Sequence, residues 1–113
     1  MTIRAKLRRG AIYGVNLDPT IGSEVKKISP GVIVSNDAQN MIGRRVIIAP
    51  ATSVLKKVYP FEVLVDIAGK KSKIMMDQIR TVDCLRLGEK IGKLTMEEID
   101  ELDRALKLVL SLG

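Results

Sequence analysis

The chain has 113 residues, of which 46% are hydrophobic and 28% are charged. This composition supports one hydrophobic core and excludes a disordered chain. The single cysteine, Cys84, excludes an internal disulfide and a cysteine-rich metal site. Because histidine is absent, zinc fingers, a Ser–His–Asp triad and two-histidine ribonuclease chemistry are also excluded. No apolar run is long enough to span a bilayer, so we expect no membrane contact and a cytoplasmic location.

Positive charge is concentrated in the first half of the chain. Residues 1–60 hold ten basic and three acidic side chains, which gives +7, whereas residues 61–113 hold nine basic and ten acidic ones, which gives −1. A basic surface of this kind is typical of proteins that bind a polyanion, either RNA or an acidic protein segment. If the charge is considered by itself, a role in keeping the protein soluble explains it equally well.

The first half of the chain carries the signals of two strands and their connections. Residues 11–17 alternate apolar and other side chains, which predicts a half-buried strand. Proline and glycine in residues 18–23 predict a turn, and residues 22–27 are expected to form an exposed loop. The apolar run at residues 31–34 predicts a strand covered on both faces, and the polar residues 36–40 predict a turn.

Further short strands are predicted downstream, separated by a proline-bracketed loop over residues 51–59 and a basic hairpin tip over residues 69–71. These strands cover residues 46–49, 61–66, 72–76 and 79–82. Residues 85–94 are less regular.

The period changes at Thr95, which forms a capping-box signature with Glu98. Apolar side chains then recur at intervals of three and four residues, which predicts an amphipathic helix. They are Met96, Ile99, Leu102, Leu106, Val109 and Leu110. The opposite face offers two i,i+4 ion pairs, namely Asp100–Arg104 and Asp103–Lys107.

The whole pattern predicts an α+β fold that is mainly β, in one domain over residues 1–113. We expect a small antiparallel β-barrel or a strongly bent antiparallel sheet, packed by a C-terminal amphipathic helix.

Several blocks of sequence resemble the MazF/PemK toxins, in order and with similar spacing, from about residue 8 to the end. The first block comprises Arg-Gly-Ala-Ile-Tyr at residues 9–13, Leu-Asp-Pro-Thr-Ile-Gly-Ser-Glu at 17–24 and Ser-Pro-Gly-Val-Ile-Val-Ser-Asn-Asp at 29–37. The second and third are Ile-Ala-Pro-Ala-Thr at 48–52 and Asp-Gln-Ile-Arg-Thr-Val-Asp at 77–83, and Ile-Gly-Lys-Leu at 91–94 precedes the helix.

The resemblance implies an SH3-like barrel that forms a homodimer and cleaves single-stranded RNA at specific sequences, as an mRNA interferase toxin. It implies no metal and no other cofactor. It also implies an acidic, MazE-like antitoxin protein as a partner, and DNA binding by the toxin–antitoxin complex.

Metal-free RNA cleavage requires that the 2′-hydroxyl lose its proton, that the phosphorane be stabilised and that the leaving 5′-oxygen be protonated. In most members of the family that the chain resembles, an arginine before the proline of the second strand is the main catalytic residue, with a threonine near the end of the next strand. Thr52 matches the threonine, but Ser29 precedes Pro30 where the arginine is expected. A serine hydroxyl lacks the charge and the five donors of a guanidinium, so we expect impaired cleavage.

Two explanations of Ser29 remain open. The serine is an inactivating substitution, or it belongs to a natural variant in which Lys26, Lys27, Arg44 or Arg45 serves the phosphate instead.

The resemblance assigns further residues. Asp77 and Gln78 match a pair that relatives use for catalysis or base reading. The branch that relies on this aspartate has an arginine two residues earlier, where this chain has Met75. Candidate RNA-binding residues are Thr20, Ser23, Glu24, Lys27, Ser53, Lys56, Lys57 and Gln78.

Plainer interpretations apply if the resemblance is set aside. Ser29 before Pro30 then only begins a strand, Thr52 caps a loop through its hydroxyl, and Asp77 forms an exposed ion pair with Arg80. Two other functions remain open. One is a non-catalytic homologue that binds RNA or antitoxin; the other is an SH3-like peptide-binding module, against which the scarcity of aromatic residues argues.

Overall fold

The computed structural model describes residues 7–17 and 28–113, which form seven strands and two helices. The strands are β1 (Ala11–Asn16), β2 (Ile28–Ile33), β3 (Arg45–Thr52), β4 (Glu62–Ile67), β5 (Lys70–Met75), β6 (Arg80–Asp83) and β7 (Leu87–Lys93). The helices are α1 (Asp37–Ile42) and α2 (Met96–Val109), and two 3₁₀ turns cover Met76–Gln78 and Cys84–Arg86.

The third strand organises the sheet. One edge of β3 pairs with β2, while its other edge pairs first with β6 and then, over the last two residues, with β5. The 3₁₀ turn Met76–Gln78 connects β5 to β6 along this edge, and the remaining order is β4-β5-β3-β2-β1-β7. All pairs are antiparallel. Because one edge of β3 has two partners in succession, the sheet curls strongly.

Pro50 lies inside β3, although a proline was expected to end that strand. Ile48 pairs with β6 and Ala51 pairs with β5, so Pro50 stands where the strand changes partners. A residue without an N–H costs no ladder hydrogen bond at such a position. The strand therefore continues to Thr52 instead of ending at Ala49.

Both faces of the sheet are covered by apolar side chains. One cluster packs under α2 and includes Ile12, while the second includes Tyr13 and Val15 on the opposite face. The prediction of a half-buried strand at residues 11–17 is therefore wrong, since Ala11 to Val15 are all buried. The strand predicted at residues 31–34 is covered on both faces, as expected.

Two connections differ from the prediction. Residues 36–40 belong to a helix, not a turn, because the Asn36 side chain accepts a hydrogen bond of 2.8 Å from the Gln39 N–H and caps α1. The β4–β5 hairpin turns at Ala68 and Gly69, which both have positive φ, of 51° and 81°. Positive φ at both central residues is typical of a tight two-residue hairpin. The turn therefore begins one residue earlier than predicted.

The capping box of α2 is confirmed. The Thr95 hydroxyl accepts from the Glu98 N–H at 3.1 Å, and the Glu98 carboxylate accepts from the Thr95 N–H at 2.9 Å. Leu102 is buried under the sheet, whereas Met96 is 78% exposed and does not join the predicted apolar face.

The ion pairs predicted along α2 are wrong. Asp103 pairs with Arg9 at 2.7 Å, and Arg104 pairs with Glu101 at 2.9 Å and also donates to the Pro60 carbonyl. Tertiary partners displace the expected i,i+4 geometry, because Arg9 and the Pro60 carbonyl lie within reach of the helix.

The predicted fold class is confirmed: the molecule is mainly β, with a strongly curled antiparallel sheet and a C-terminal helix. Within residues 7–17 and 28–113, neither helix is long and apolar enough to cross a membrane.

Candidate functional site

Three polar residues from neighbouring strands lie in one row across the sheet. Thr52 pairs directly with Lys73 of β5. The β2–β3 register pairs Gly31 with Pro50, and extending it by two residues brings Ser29 opposite Thr52. Directly opposite residues in antiparallel strands project from the same face. Ser29, Thr52 and Lys73 therefore form a row, here called the polar row, on the face away from α2.

The hydroxyl of Thr52 has one defined partner. Its Oγ1 accepts a hydrogen bond of 3.2 Å from the Val54 N–H, at the start of the loop over residues 53–61. This contact is the loop cap that the plainer interpretation expects. A threonine hydroxyl also donates, and no described residue takes that hydrogen, so Thr52 keeps a donor for a ligand at the row.

The loop over residues 53–61, here called the β3–β4 loop, presents the predicted binding residues to solvent. Ser53, Lys56 and Lys57 are all exposed. The Lys57 ammonium lies 4.8 Å from the centre of the Tyr59 ring, and Tyr59 stacks on Phe61 with ring centres 5.3 Å apart. Sequence reasoning missed this aromatic pair, although the spacing of two aromatic residues around a proline was a visible signal.

A buried ion pair lies under this loop. Lys73 Nζ is 3.0 Å from Glu62 Oε1, and the two side chains are only 11% and 5% exposed. A buried charge is tolerated when it is paired and hydrogen-bonded, and each group supplies that partner for the other.

Both members of the pair also bind the main chain of the loop. Lys73 Nζ donates to the Lys57 carbonyl at 2.5 Å, and Glu62 Oε1 accepts from the Tyr59 N–H at 2.9 Å. The ammonium of Lys73 is thus already engaged by two acceptors. The cations that the described part of the loop offers to an anion are Lys56 and Lys57.

Asp77 and Gln78 lie in the 3₁₀ turn beside β3, and both are exposed. The turn connects β5, which pairs with the last two residues of β3, to β6, which pairs with its first half. Asp77 and Gln78 therefore lie beside the middle of β3. Gln78 Nε2 donates to the sulfur of Met75 at 3.4 Å. Among the described residues, Asp77 and Arg80 form no ion pair, which contradicts the plainer interpretation of Asp77.

Arg44 and Arg45 lie at the other end of the sheet. Thr52 lies seven steps along the strand from Arg45, a distance of about 23 Å. The two arginines line a polar cavity of about 380 Å³ together with Asp83. Within one chain they do not reach a phosphate at the polar row, so the structure does not support Arg44 or Arg45 as the residue that serves the phosphate instead of an arginine at position 29.

Thr20, Ser23, Glu24 and Lys27, predicted to bind RNA, lie outside the described residues, as does Lys26.

Burial raises the pKa of the Tyr13 phenol, so this side chain stays protonated at neutral pH and does not serve as a base. In the described ranges, histidine, cysteine and acidic side chains form no group of three or more able to hold a metal ion.

A family model described as PemK-like, MazF-like toxin of type II toxin–antitoxin system matches residues 8–110. The chain therefore belongs to this family of toxins.

Two curated relatives are similar over nearly their whole length. Endoribonuclease MazF9 of Mycobacterium tuberculosis is 43% identical over 115 residues, covering 94% of this chain and 98% of the relative. Endoribonuclease EndoA of Bacillus subtilis is 34% identical over 111 residues, covering 94% and 96%.

Solved structures share the fold. A crystal structure of MazF from Deinococcus radiodurans superposes with a TM-score of 0.77 at 25% identity, covering 93% of this chain and 96% of that one. An endoribonuclease in complex with its cognate antitoxin, from a mycobacterial species, has a TM-score of 0.77 at 24% identity and covers 95% of both chains. At 24% identity, the second likeness concerns the fold alone.

Proposed function

We propose that this chain is an endoribonuclease that cleaves single-stranded RNA, including mRNA, at specific sequences without a metal ion, with the scissile phosphate at the polar row. The observation that supports the proposal is the β2–β3 register, which pairs Gly31 with Pro50 and, extended by two residues, brings Ser29 opposite Thr52, in a chain that belongs to the MazF-like toxins. The names of its curated relatives as endoribonucleases support the reaction class.

In the reaction, the 2′-oxygen attacks the adjacent phosphorus and the bond to the 5′-oxygen breaks. The products are a 2′,3′-cyclic phosphate and a free 5′-hydroxyl; one proton leaves the 2′-hydroxyl and another is delivered to the 5′-oxygen. Thr52 donates a hydrogen bond to a non-bridging phosphate oxygen. Asp77, exposed beside β3, accepts the proton or reads a base, and Gln78 reads a base.

Ser29 is the weak point of this site. Its hydroxyl offers one hydrogen bond to the phosphorane but no positive charge, and the nearby Lys73 ammonium is held by Glu62. Removal of one dedicated stabiliser of transition-state charge typically costs about 10²–10³-fold in rate. We therefore expect the chain to cleave slowly.

The test compares the unchanged chain with Ser29→Arg on one long single-stranded RNA in EDTA, with the cleaved ends mapped. We expect Ser29→Arg to cut about 10²–10³-fold faster, at a short recurring sequence. The matched control is Ile28→Arg, which adds the same charge one residue earlier on the opposite face of β2 at a side chain that is 60% exposed. Equal gains from both substitutions would mean that added charge, not the row, promotes cleavage.

A second candidate function is a homologue that binds RNA or antitoxin without cutting. Serine at position 29 and Met75 favour it, because each replaces an arginine on which one branch of the family relies. This candidate predicts steeply salt-dependent RNA binding by both the unchanged chain and Ser29→Arg, with no cleavage by either.

We also propose an acidic antitoxin protein as a partner. The basic first half of the chain and the two exposed lysines of the β3–β4 loop support this, and the mycobacterial neighbour was solved with its cognate antitoxin. An antitoxin of this kind is expected to displace bound RNA in competition, and simultaneous binding of both would contradict a shared surface.

A homodimer is the third partner proposal. Leu85 is 92% exposed and Ile42 is 81% exposed, and the hydrogen bond of 2.8 Å from the Cys84 N–H to the Arg44 carbonyl holds their segments side by side. Large exposed apolar side chains that lie together are typical of interaction surfaces. Sedimentation at micromolar concentration should give a dimer that Leu85→Glu weakens and that Leu64→Glu, on the face of β4 away from α2, does not. A monomer would contradict the proposal.

A further inference from the structure

The buried ion pair between Glu62 and Lys73 connects the polar row to the β3–β4 loop. Lys73 stands directly opposite Thr52 in the β3–β5 register, and Glu62 is the first residue of β4, where the loop ends. The pair therefore joins β5, which pairs with the Thr52 end of β3, to both the middle and the end of the loop that carries Lys56 and Lys57.

The contacts of the pair are specific to the main chain of the loop. The Lys57 carbonyl accepts from Lys73 Nζ at 2.5 Å, and the Tyr59 N–H donates to Glu62 Oε1 at 2.9 Å. The Tyr59 carbonyl in turn accepts from the Glu62 N–H at 2.9 Å. Three hydrogen bonds thus fix residues 57 and 59 relative to β4 and β5.

Stability of the fold does not by itself explain why Glu62 and Lys73 are buried as an ion pair. A buried ion pair is often no more stabilising than an apolar pair of similar volume, because both charges lose water. Here each charge also bonds a backbone group of the loop, the Lys57 carbonyl or the Tyr59 N–H, which two apolar side chains would not do. The distinctive contribution of the pair is the position of the loop.

We propose that the Glu62–Lys73 pair is a positioning element that holds the β3–β4 loop, and with it Lys56 and Lys57, in the conformation that binds RNA beside Thr52. The inference rests on the proposed RNA-binding function. Neither side chain of the pair touches RNA; both act through the main chain of Lys57 and Tyr59.

The first readout is the loop itself. We expect Lys73→Met to speed hydrogen exchange of the Tyr59 amide at least about tenfold, because opening of the loop then exposes that amide. Lys71→Met is the matched control: it removes the same charge from the same strand at an exposed position opposite Asp66. Unchanged Tyr59 exchange in Lys73→Met would overturn the proposal.

The second readout is binding of a mixed-sequence, 20-nucleotide single-stranded RNA, measured at several salt concentrations. If the binding conformation of the loop falls to about a tenth of the population, Kd rises about tenfold. Because Lys73 does not contact phosphate, the slope of log Kd against log salt should stay unchanged. A slope lower by about 0.7 would show a direct phosphate contact and overturn the positioning role.

Two rescue variants sharpen the test. Lys73→Arg keeps a donor for the Lys57 carbonyl and should recover most of the affinity. The double exchange Glu62→Lys with Lys73→Glu restores an ion pair, but it presents a donor to the Tyr59 N–H and an acceptor to the Lys57 carbonyl. It should remain as weak as Lys73→Met, and recovery by the double exchange would mean that the ion pair alone matters.

The unchanged chain separates this inference from the proposed function. If neither the unchanged chain nor Ser29→Arg binds the RNA, both the proposed function and the positioning role are wrong. If both bind and Lys73→Met binds equally well despite faster Tyr59 exchange, only the positioning role fails.

Discussion

The two ends of β3 carry basic residues in opposite ways. At the first end, Arg44 and Arg45 are exposed and line a polar cavity with Asp83. At the last end, Thr52 pairs with Lys73, whose ammonium is nearly buried and bound to Glu62 and to a loop carbonyl. One end therefore offers free charge to solvent, and the other uses charge to hold its own backbone.

This difference shows that basic residues in one small domain serve separate purposes that charge counting does not distinguish. An exposed guanidinium is screened by salt and is free to meet a partner. A buried ammonium with two acceptors is committed to the fold. The distinction matters at the Thr52 end, where the resemblance puts Ser29 at the position of an arginine and the nearest buried cation, Lys73, is bound to Glu62.

The largest expected effect is a loss of folding stability when the Glu62–Lys73 pair is broken. Glu62→Gln leaves the Lys73 ammonium, only 11% exposed, without its counter-charge. We expect a loss of about 3–5 kcal/mol in the free energy of unfolding, since removal of one partner leaves an uncompensated buried charge. Urea denaturation measures it, and a loss below about 1 kcal/mol, as for an exposed pair, would erase the contrast between the two ends.

A second prediction concerns β2, which pairs with the middle of β3. A Cβ added at Gly31 would lie 2.7 Å from Val15 Cγ2, which is fully buried. We expect Gly31→Ala to destabilise the fold by about 1–3 kcal/mol through overpacking. Gly92→Ala is the matched control, because its Cβ meets only Ile12 Cδ1, at 4.0 Å. Equal effects in thermal or urea unfolding would show that loss of glycine, not the close approach, matters.

A third prediction asks which end meets RNA. Replacing Lys56 and Lys57 together with glutamine should lower the slope of log Kd against log salt by about 1.4, since each phosphate contact on a single strand contributes about 0.7. Replacing Arg44 and Arg45 together with glutamine removes the same charge from the far end and should leave the slope nearly unchanged. The reverse result would move the RNA to the first end of β3.

The smallest effect is expected at Asp83, at the first end. Its Oδ1 accepts from the Leu85 N–H at 2.9 Å and caps the 3₁₀ turn Cys84–Arg86. Asp83→Ala should cost about 0.5–1 kcal/mol, in line with the loss of a partly exposed cap. Urea denaturation beside Glu62→Gln provides the comparison, and a cost as large as that of Glu62→Gln would mean that the first end is as tightly held as the last.

Local sequence determined the elements whose signals are local. The capping box at Thr95 and the three- and four-residue spacing behind it predict α2 because both depend on neighbours along one helix. The strand at residues 31–34 follows from a short apolar run. The ordered blocks around Pro30, Thr52 and Asp77 were enough to place the chain in its family.

Tertiary structure alone decided which side chains meet. Glu62 lies in the strand predicted over residues 61–66, but nothing close to it in the sequence indicates that it is buried beside Lys73, which supplies its counter-charge from the next strand. Arg9 takes Asp103 from its expected helical partner, at a separation of 94 residues along the chain. Spacing along a chain carries no information on such contacts, since they depend on how strands pair. For the same reason, only the register of β2, β3 and β5 brought Ser29, Thr52 and Lys73 into one row.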